Sequence, residues 1–225
     1  MAKKIKEKLR SKGSTLIYNM ILAIETSSNV CGISLVENGK IISDLDEPCH
    51  REHNEMLPLL VQSILKKNTN HMDHIKAIAI NIGPGSFTGL RIGLGFAKGI
   101  AYSKEIPIIP VPSMLALAFS LRKYSPQNGI MSSHADKVFY QNFKWENSLP
   151  IEMSPPESGI LSDYINRLKN GFQSNCADLI RSNIKVKEAL PSAKNIGLLA
   201  SIFSDKWKVE KPFDLAPNYV NDFKV

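Results

Sequence analysis

The stretch at residues 75–93, IKAIAINIGPGSFTGLRIG, combines an apolar run, a glycine-rich turn and the start of a second apolar run. Residues 75–81 are predicted to form a buried strand, because a short apolar segment bounded by a turn is typical of one. Residues 90–103 are predicted to form a helix. A strand, a tight turn and a helix in this order build a parallel sheet covered by helices. The stretch therefore predicts an α/β fold and leaves the purpose of the glycine-rich turn open.

The segments on both sides extend this pattern. An Asn38-Gly39 dipeptide between two apolar runs indicates a hairpin, because both residues accept a positive φ. The predicted strands are residues 21–24, 30–36, 40–43, 75–81 and 106–111, and the predicted helices are residues 51–67, 90–103 and 112–122. The order βββαβαβα is that of a ribonuclease H-like lobe, the unit of actin, sugar kinases and Hsp70.

The second half of the chain has a weaker pattern. Residues 123–129, KYSPQNG, have the composition of a linker. We predict a flexible basic arm at 1–19, a first ribonuclease H-like lobe at 20–122, the linker, and a smaller, degenerate lobe at 130–225. Within the second lobe the predictions are a strand at 137–143, a proline-rich loop at 146–158, and helices at 160–169 and 192–203.

The positive charge is concentrated in the arm. The net charge is +7 and the pI is near 9.2, which would suit an acidic partner such as nucleic acid. Residues 1–19 hold six basic residues against one acidic residue, so 22 basic and 20 acidic residues remain in the rest. If the chain binds RNA directly, we therefore expect the arm to be the binding segment. Met20 is an alternative first residue of the protein.

Cysteine and apolar content indicate the compartment. Three cysteines without CxxC spacing fit free thiols in a reducing cytoplasm. No run of about 20 apolar residues predicts a membrane span. We therefore expect a cytoplasmic protein that does not enter a membrane.

The glycine-rich turn does not carry the residues of two familiar sites. A Walker-type phosphate loop needs Lys and then Ser or Thr after its last glycine, and here Leu90 and Arg91 follow Gly89. A nucleophile elbow around Ser86 would need glycines at two flanking positions that are Pro84 and Thr88. No catalytic residue is predicted, and unspecific anion binding at the helix start stays open.

The helix after the turn is unusual in its glycines, each of which costs about 1 kcal/mol relative to alanine inside a helix. Gly89, Gly93, Ala97 and Ala101 repeat every four residues and form a stripe of small side chains. The sheet and the 51–67 helix could cover this stripe within the monomer. Alternatively, the two helices present it to another subunit, which the nearly uncharged outer face favours; Gly93→Leu should then prevent binding and leave the fold intact.

Other candidate sites are weaker. Glu25 follows the first predicted strand, where an acid can lie near a phosphate or a metal, although a solvated turn residue is the simpler explanation. His71 and His74 have HxxH spacing, but no cysteine or carboxylate cluster completes four ligands, so no metal site is predicted.

Several motifs together resemble the TsaB (YeaZ) family. They are residues 21–27 (ILAIETS), His53 with residues 57–60 (LPLL), residues 83–93, residues 97–99 (AKG), and residues 106–107 (IP) with Val111. The resemblance covers about residues 20–121 and thins beyond the linker. In the second lobe residues 131–135 and 173–177 depart from the family pattern, whereas residues 217–220 (PNYV) resemble a family Pro-x-Tyr-hydrophobic stretch.

The resemblance implies two ribonuclease H-like lobes and a non-catalytic role beside the paralogous enzyme TsaD. With TsaE, that enzyme threonylcarbamoylates the adenosine next to the anticodon in tRNAs reading A-starting codons. TsaD-like chains carry an HxxxH metal pair where this chain has residues 112–117, PSMLAL. The alternative is a free-standing superfamily enzyme, either a metallopeptidase-like hydrolase or a small-molecule kinase.

The resemblance implies that the helices after the third strand and after the glycine-rich turn form the binding face. We therefore expect a heterodimer with a TsaD homologue, an association with a TsaE homologue, a homodimer through the same face, and tRNA contact only through the complex. No cofactor is predicted, and Glu25, Thr26 and Ser27 are weak candidates for binding one. The expected partner-binding residues are His53, Met56, Leu57, Leu60, Gly89, Leu90, Gly93, Leu94 and Ala97.

Overall fold

A computed structural model describes residues 20–68, 72–180 and 186–220, which form two β-sheets with helices packed on them. The predicted arm and His71 lie outside these residues. The first sheet has the strand order β3-β2-β1-β4-β5. Its strands are β1 (Met20–Glu25), β2 (Val30–Glu37), β3 (Lys40–Pro48), β4 (Ala77–Asn81) and β5 (Ile108–Val111).

The middle strand of this sheet, β1, is buried along its whole length. It pairs antiparallel with β2 and parallel with β4, so the opening hairpins join a parallel half. Successive side chains of a strand point to opposite faces. Ile21 and Ala23 therefore belong to one core cluster, and Leu22 and Ile24 belong to another.

Each face of the first sheet has its own helices. On the Leu22 side lie α1 (His53–Lys67) and α2 (Phe87–Lys104), which also pack against each other. On the Ile21 side lie α3 (Ser113–Ser120) and the C-terminal helix α5 (Ala193–Trp207). No helix in the described part of the chain is long and apolar enough to cross a lipid bilayer.

The second sheet has the order β11-β10-β6-β7-β8, and β9 also pairs with β7. Its strands are β6 (Asn128–His134), β7 (Lys137–Glu146), β8 (Leu149–Glu152), β9 (Glu157–Ile160), β10 (Gly171–Ser174) and β11 (Lys187–Glu188), and a one-turn helix α4 (Leu161–Tyr164) follows β9. Met131, Phe139 and Phe172 of this sheet join the same core cluster as Ile21, α3 and α5. One continuous core therefore connects the two sheets.

The predicted α/β class with two sheets is confirmed, and two local predictions are wrong. Residues 146–158, predicted as a loop, contain β8 and the start of β9, because each pairs with a different half of the long strand β7. Residues 160–169, predicted as one helix, contain only α4 and the 3-10 turn Ile165–Arg167. The domain division at 123–129 stays a prediction; the structure adds that α5 packs on the first sheet.

Gly197 lets α5 pack closely against the first sheet. A Cβ atom at this position would lie 2.6 Å from Cγ2 of Val36 and 3.0 Å from Cβ of Ala23. We expect Gly197→Leu to lower the free energy of unfolding by about 3 kcal/mol, because an overfilled core forces neighbours out of position. Urea unfolding measures this loss. Lys206→Ala on the exposed side of the same helix is the control, with an expected change below about 0.5 kcal/mol.

Candidate functional site

The glycine-rich turn joins β4 to α2 and rests on the end of β1. The Ser86 backbone N–H donates to the Ser27 carbonyl oxygen at 2.7 Å, and the Ser86 side chain caps α2 by accepting from the Gly89 N–H at 3.2 Å. Gly83 has a φ of +109°, and its Cβ would lie 2.7 Å from the Asn218 carbonyl oxygen. The turn is therefore tied to two other segments, and its glycines allow those close approaches.

The small-residue stripe of α2 faces the inside of the monomer. A Cβ on Gly89 would overlap the Thr26 carbonyl oxygen, and a Cβ on Gly93 would overlap the Thr26 hydroxyl. Ala97 and Ala101 continue the stripe and are also buried. The close approach predicted from the glycines is real, but the neighbouring backbone belongs to the same chain.

This burial shows where the expected partner-binding residues lie within the monomer, and their part in partner binding stays a prediction. Seven of the nine expected residues are buried in the monomer, namely His53, Leu57, Gly89, Leu90, Gly93, Leu94 and Ala97. They lie on the sides of α1 and α2 that cover the sheet, where apolar side chains leave water. Met56 and Leu60 are half-buried, and their part in partner binding stays a prediction.

The other two glycines of α2 lie on its outer face. Gly95 and Gly99 are exposed, and a Cβ on either would meet nothing within 4 Å. Leu59 of α1 is also 64% exposed. This outer face, which we call the α1–α2 face, thus combines bare helix backbone with apolar side chains. In the sequence, Gly95 and Gly99 are the residues that indicate this face. The regular stripe of small residues lies on the buried side of the helix instead.

A C-terminal segment, residues 209–220, crosses the outside of α2, and we call it the strap. Its first residue, Val209, pairs with Ile108 at the free edge of β5, and the Asn218 N–H donates to the Ile82 carbonyl oxygen at 2.6 Å. The Arg91 Nε donates to the Tyr219 hydroxyl at 2.8 Å. Its course over α2 could not be read from the sequence, although residues 217–220 stood out as a motif.

Glu25, Thr26 and Ser27 meet at the end of β1, as their positions in the chain require, and all three are buried. The Glu25 Oε1 accepts from the Ser27 N–H and the Ser27 hydroxyl at 2.6 Å each, and from Asn81 Nδ2 at 3.0 Å. Burial raises the pKa of Glu25 to about 7, opposed by the Ser27 hydrogen bonds, with a smaller raising effect from Asp46. The carboxyl group is therefore an internal connector and not a solvated turn residue.

Asp46 lies beside this group and caps α5. One of its carboxylate oxygens accepts from the Ala193 N–H at 3.0 Å, and the other accepts from the Ser192 hydroxyl. Thr26 Oγ1 is buried without a hydrogen-bond partner. Glu25 thus connects β1 to β4, and Asp46 connects β3 to α5, through hydrogen bonds within the protein. Cofactor binding by Glu25, Thr26 and Ser27 stays a prediction.

The histidines do not converge. His53 is buried, and its Nε2 lies 3.3 Å from the Val30 carbonyl oxygen, so it links the start of α1 to β2. His74 lies in a 3-10 turn at Met72–His74. Within residues 20–68, 72–180 and 186–220, no group of three His, Cys, Asp or Glu side chains could hold a metal ion.

A cleft of about 470 Å³ borders the glycine-rich turn at Gly83 and Pro84. Pro112, Asn218 and residues 152–156 complete its lining, in which Glu152 is the charged residue. A carboxylate repels phosphate, so the cleft does not have the electrostatics of a phosphate site.

The buried Glu25 predicts a pH dependence of stability. A carboxyl group whose pKa rises from 4.5 to about 7 on folding stabilises the protein fully below pH 4.5. This contribution falls as the pH rises and is lost above pH 7, a change on the order of 3 kcal/mol. Glu25→Gln should remove this dependence, because the amide imitates the protonated acid. Urea unfolding of both proteins from pH 4.5 to 8 tests this, and parallel curves would contradict it.

Comparison with known proteins identifies the family. Residues 46–149 match the family model described as TsaD, tRNA N6-adenosine threonylcarbamoyltransferase. The tRNA threonylcarbamoyladenosine biosynthesis protein TsaB of Escherichia coli K12 is 40% identical over 98 residues, which are 44% of this chain and 42% of that relative. A threonylcarbamoyltransferase of Pediococcus pentosaceus is 27% identical over 48% of this chain and 36% of its own length.

Longer matches cover both halves of the chain. The structure described as YeaZ from Pseudomonas aeruginosa has a TM-score of 0.72 at 20% identity, over 89% of this chain and 99% of that one, so the fold is shared. The TsaB protein of Buchnera aphidicola subsp. Acyrthosiphon pisum is 30% identical over 192 residues, covering 79% of this chain and 86% of that protein. This chain therefore belongs to the TsaB (YeaZ) family of tRNA threonylcarbamoyladenosine biosynthesis proteins.

Proposed function

We propose that this chain is a non-catalytic subunit that binds a TsaD-type threonylcarbamoyltransferase through its α1–α2 face. The observation that carries this proposal is the pair of open glycines, Gly95 and Gly99. Each costs about 1 kcal/mol in helix stability relative to alanine. The contact with Thr26 accounts for Gly89 and Gly93, but nothing in the described monomer approaches the other two.

A helix backbone without side chains is suited to close contact with another helix. Close approach brings many atoms within van der Waals distance, and each pair adds a small attraction. On α1, which is in contact with α2, Leu59 is mostly exposed and Met56 and Leu60 are half-buried, so the face also offers apolar side chains. Such a face, uncharged at its centre, suits an apolar helix better than a nucleic acid.

The likeness to the transferase supports the choice of partner. The matched segment, residues 46–149, includes both α1 and α2. A transferase would therefore carry helices equivalent to these two, and two equivalent faces can meet around an approximate two-fold axis. The same geometry permits a homodimer. We therefore expect a second copy of this chain and the transferase to compete for the α1–α2 face.

The segment that would hold a transferase's metal supports the non-catalytic part of the proposal. The HxxxH pair of TsaD-like chains is replaced here by residues 112–117, PSMLAL. Ser113, Met114 and Leu115 of this segment are buried at the start of α3. This segment therefore lacks the two imidazole groups with which a TsaD-like chain would bind a metal ion. In this proposal a TsaE homologue and tRNA associate with the complex, and tRNA is contacted only through it.

Gly95→Leu tests the face without disturbing the core. We expect this variant to unfold at or a few degrees above the wild-type temperature, because its Cβ has open space and leucine is the better helix former, but to bind a TsaD homologue at least tenfold more weakly. Isothermal titration calorimetry measures the affinity. Gly93→Leu is the matched control: its side chain would collide with Thr26, so it should lose stability and not only binding. Unchanged affinity in Gly95→Leu would refute the face.

Reconstitution tests the activity. The TsaD and TsaE homologues, the enzyme that forms threonylcarbamoyl-adenylate, and tRNA are incubated with and without this chain, and modified adenosine is counted by mass spectrometry. We expect modification only when the chain is present, and none from the chain without the TsaD homologue. Equal modification in both mixtures would refute the subunit role. Deletion of residues 1–19 should leave the yield unchanged if the arm does not bind RNA.

A further inference from the structure

We propose that the strap forms one wall of the partner-binding groove and that Phe213 on it contacts the transferase directly. This inference rests on the proposed function, because the occupant is a helix of that same partner. It extends the binding surface to a part of the chain that is about 110 residues away from α2 in sequence.

The strap lies along one side of α2. Its contacts reach Phe87, Arg91, Lys98 and Tyr102. At 3.6 residues per turn these positions fall within about 60° of the helix circumference. Gly95 and Gly99 lie on the next strip of the circumference, about 20° to 60° further round.

On the opposite border of the glycines, Phe96 and Ile100 lie about 60° to 100° beyond Gly99 around the helix. They pack against the cluster that also receives Met56 and Leu60 of α1, the helix with which α2 is in contact. The two glycines are therefore the floor of a groove, with α1 on one side and the strap on the other. A helix placed on this floor would meet side chains from both walls.

The strap also holds the two charges near the centre of α2. The Lys98 ammonium donates to the Phe213 carbonyl oxygen at 2.7 Å. The Arg91 guanidinium lies 3.7 Å from the centre of the Phe87 ring and donates to Tyr219. Both cations are thus held on the strap's side of α2, which leaves the glycine floor uncharged.

The aromatic residues of this wall remain open to solvent. Phe213 is 63% exposed and Tyr102 is 72% exposed, and the two rings meet edge to face with centres 5.9 Å apart. Aromatic side chains are enriched among the residues that dominate binding energy at protein interfaces. An apolar helix on Gly95 and Gly99 is the occupant that would bury this pair.

The experiment measures the affinity of the full-length chain for the purified TsaD homologue. We expect Phe213→Ala to weaken binding about tenfold, because aromatic side chains, Phe included, are enriched at protein interfaces. Leu190→Ala is the control: Leu190 is equally exposed, at 64%, but follows β11 of the second sheet. Thermal unfolding of both variants should match the wild type, because both side chains are mostly in solvent.

A crosslinking readout separates direct contact from an effect on the strap's position. With p-benzoylphenylalanine at position 213, irradiation should link the chain to the transferase; the same residue at position 190 should not link it. Wild-type affinity in Phe213→Ala, or no crosslink from position 213, would overturn the inference. If Gly95→Leu nevertheless prevents binding, the proposed function survives. If the wild-type chain does not bind the transferase, both proposals fail.

Discussion

Where Gly89 and Gly93 of α2 meet Thr26, a helix lies against the end of a β-strand without a helix side chain between them. A methyl group at either glycine would overlap Thr26, so α2 can approach this strand end only because both positions are glycine. The same strand end holds Glu25, which connects to Asn81 at the end of β4, and Ser27, which receives the Ser86 N–H from the turn. The glycine-rich turn, the helix after it and two central strands therefore share one junction.

This junction explains why the outer face of α2 can be specific. A helix that is locked on its inner side presents its backbone in one position, and close helix packing depends on that precision. The inner glycines thus serve the fold, and the outer pair belongs to the face that we propose for association. The strap adds a further constraint, because it binds both central cations of α2 and rests on the edge of β5.

The sequence predicted the first sheet well because its signals are local. Short apolar runs, the Asn38-Gly39 turn and the helical spacing of residues 51–67 each depend on neighbours in the chain. The elements formed within a few residues of the expected bounds, except that β3 continues to Pro48 instead of ending at residue 43. The second sheet was harder, since β8 and β9 are four residues long and are strands only because β7 offers them an edge. The sequence could not show, for a related reason, in which direction the stripe of small residues faces. Spacing shows that Gly89 and Gly93 share a face with Ala97, but only the position of Thr26 shows what that face meets. No residue near α2 in the sequence predicts that residues 209–220 lie along this helix.

The continuous core has a consequence for motion. Proteins built from two lobes often work by closing one lobe on the other about a hinge, and this requires an interface that can slide or open. Here one apolar cluster includes Ile21 of the first sheet, Phe172 of the second and Ile196 of α5. Separating the two sheets would expose these buried side chains to water, at a cost of roughly 1.5–3 kcal/mol for each large one. This cost opposes a hinge motion between the two sheets.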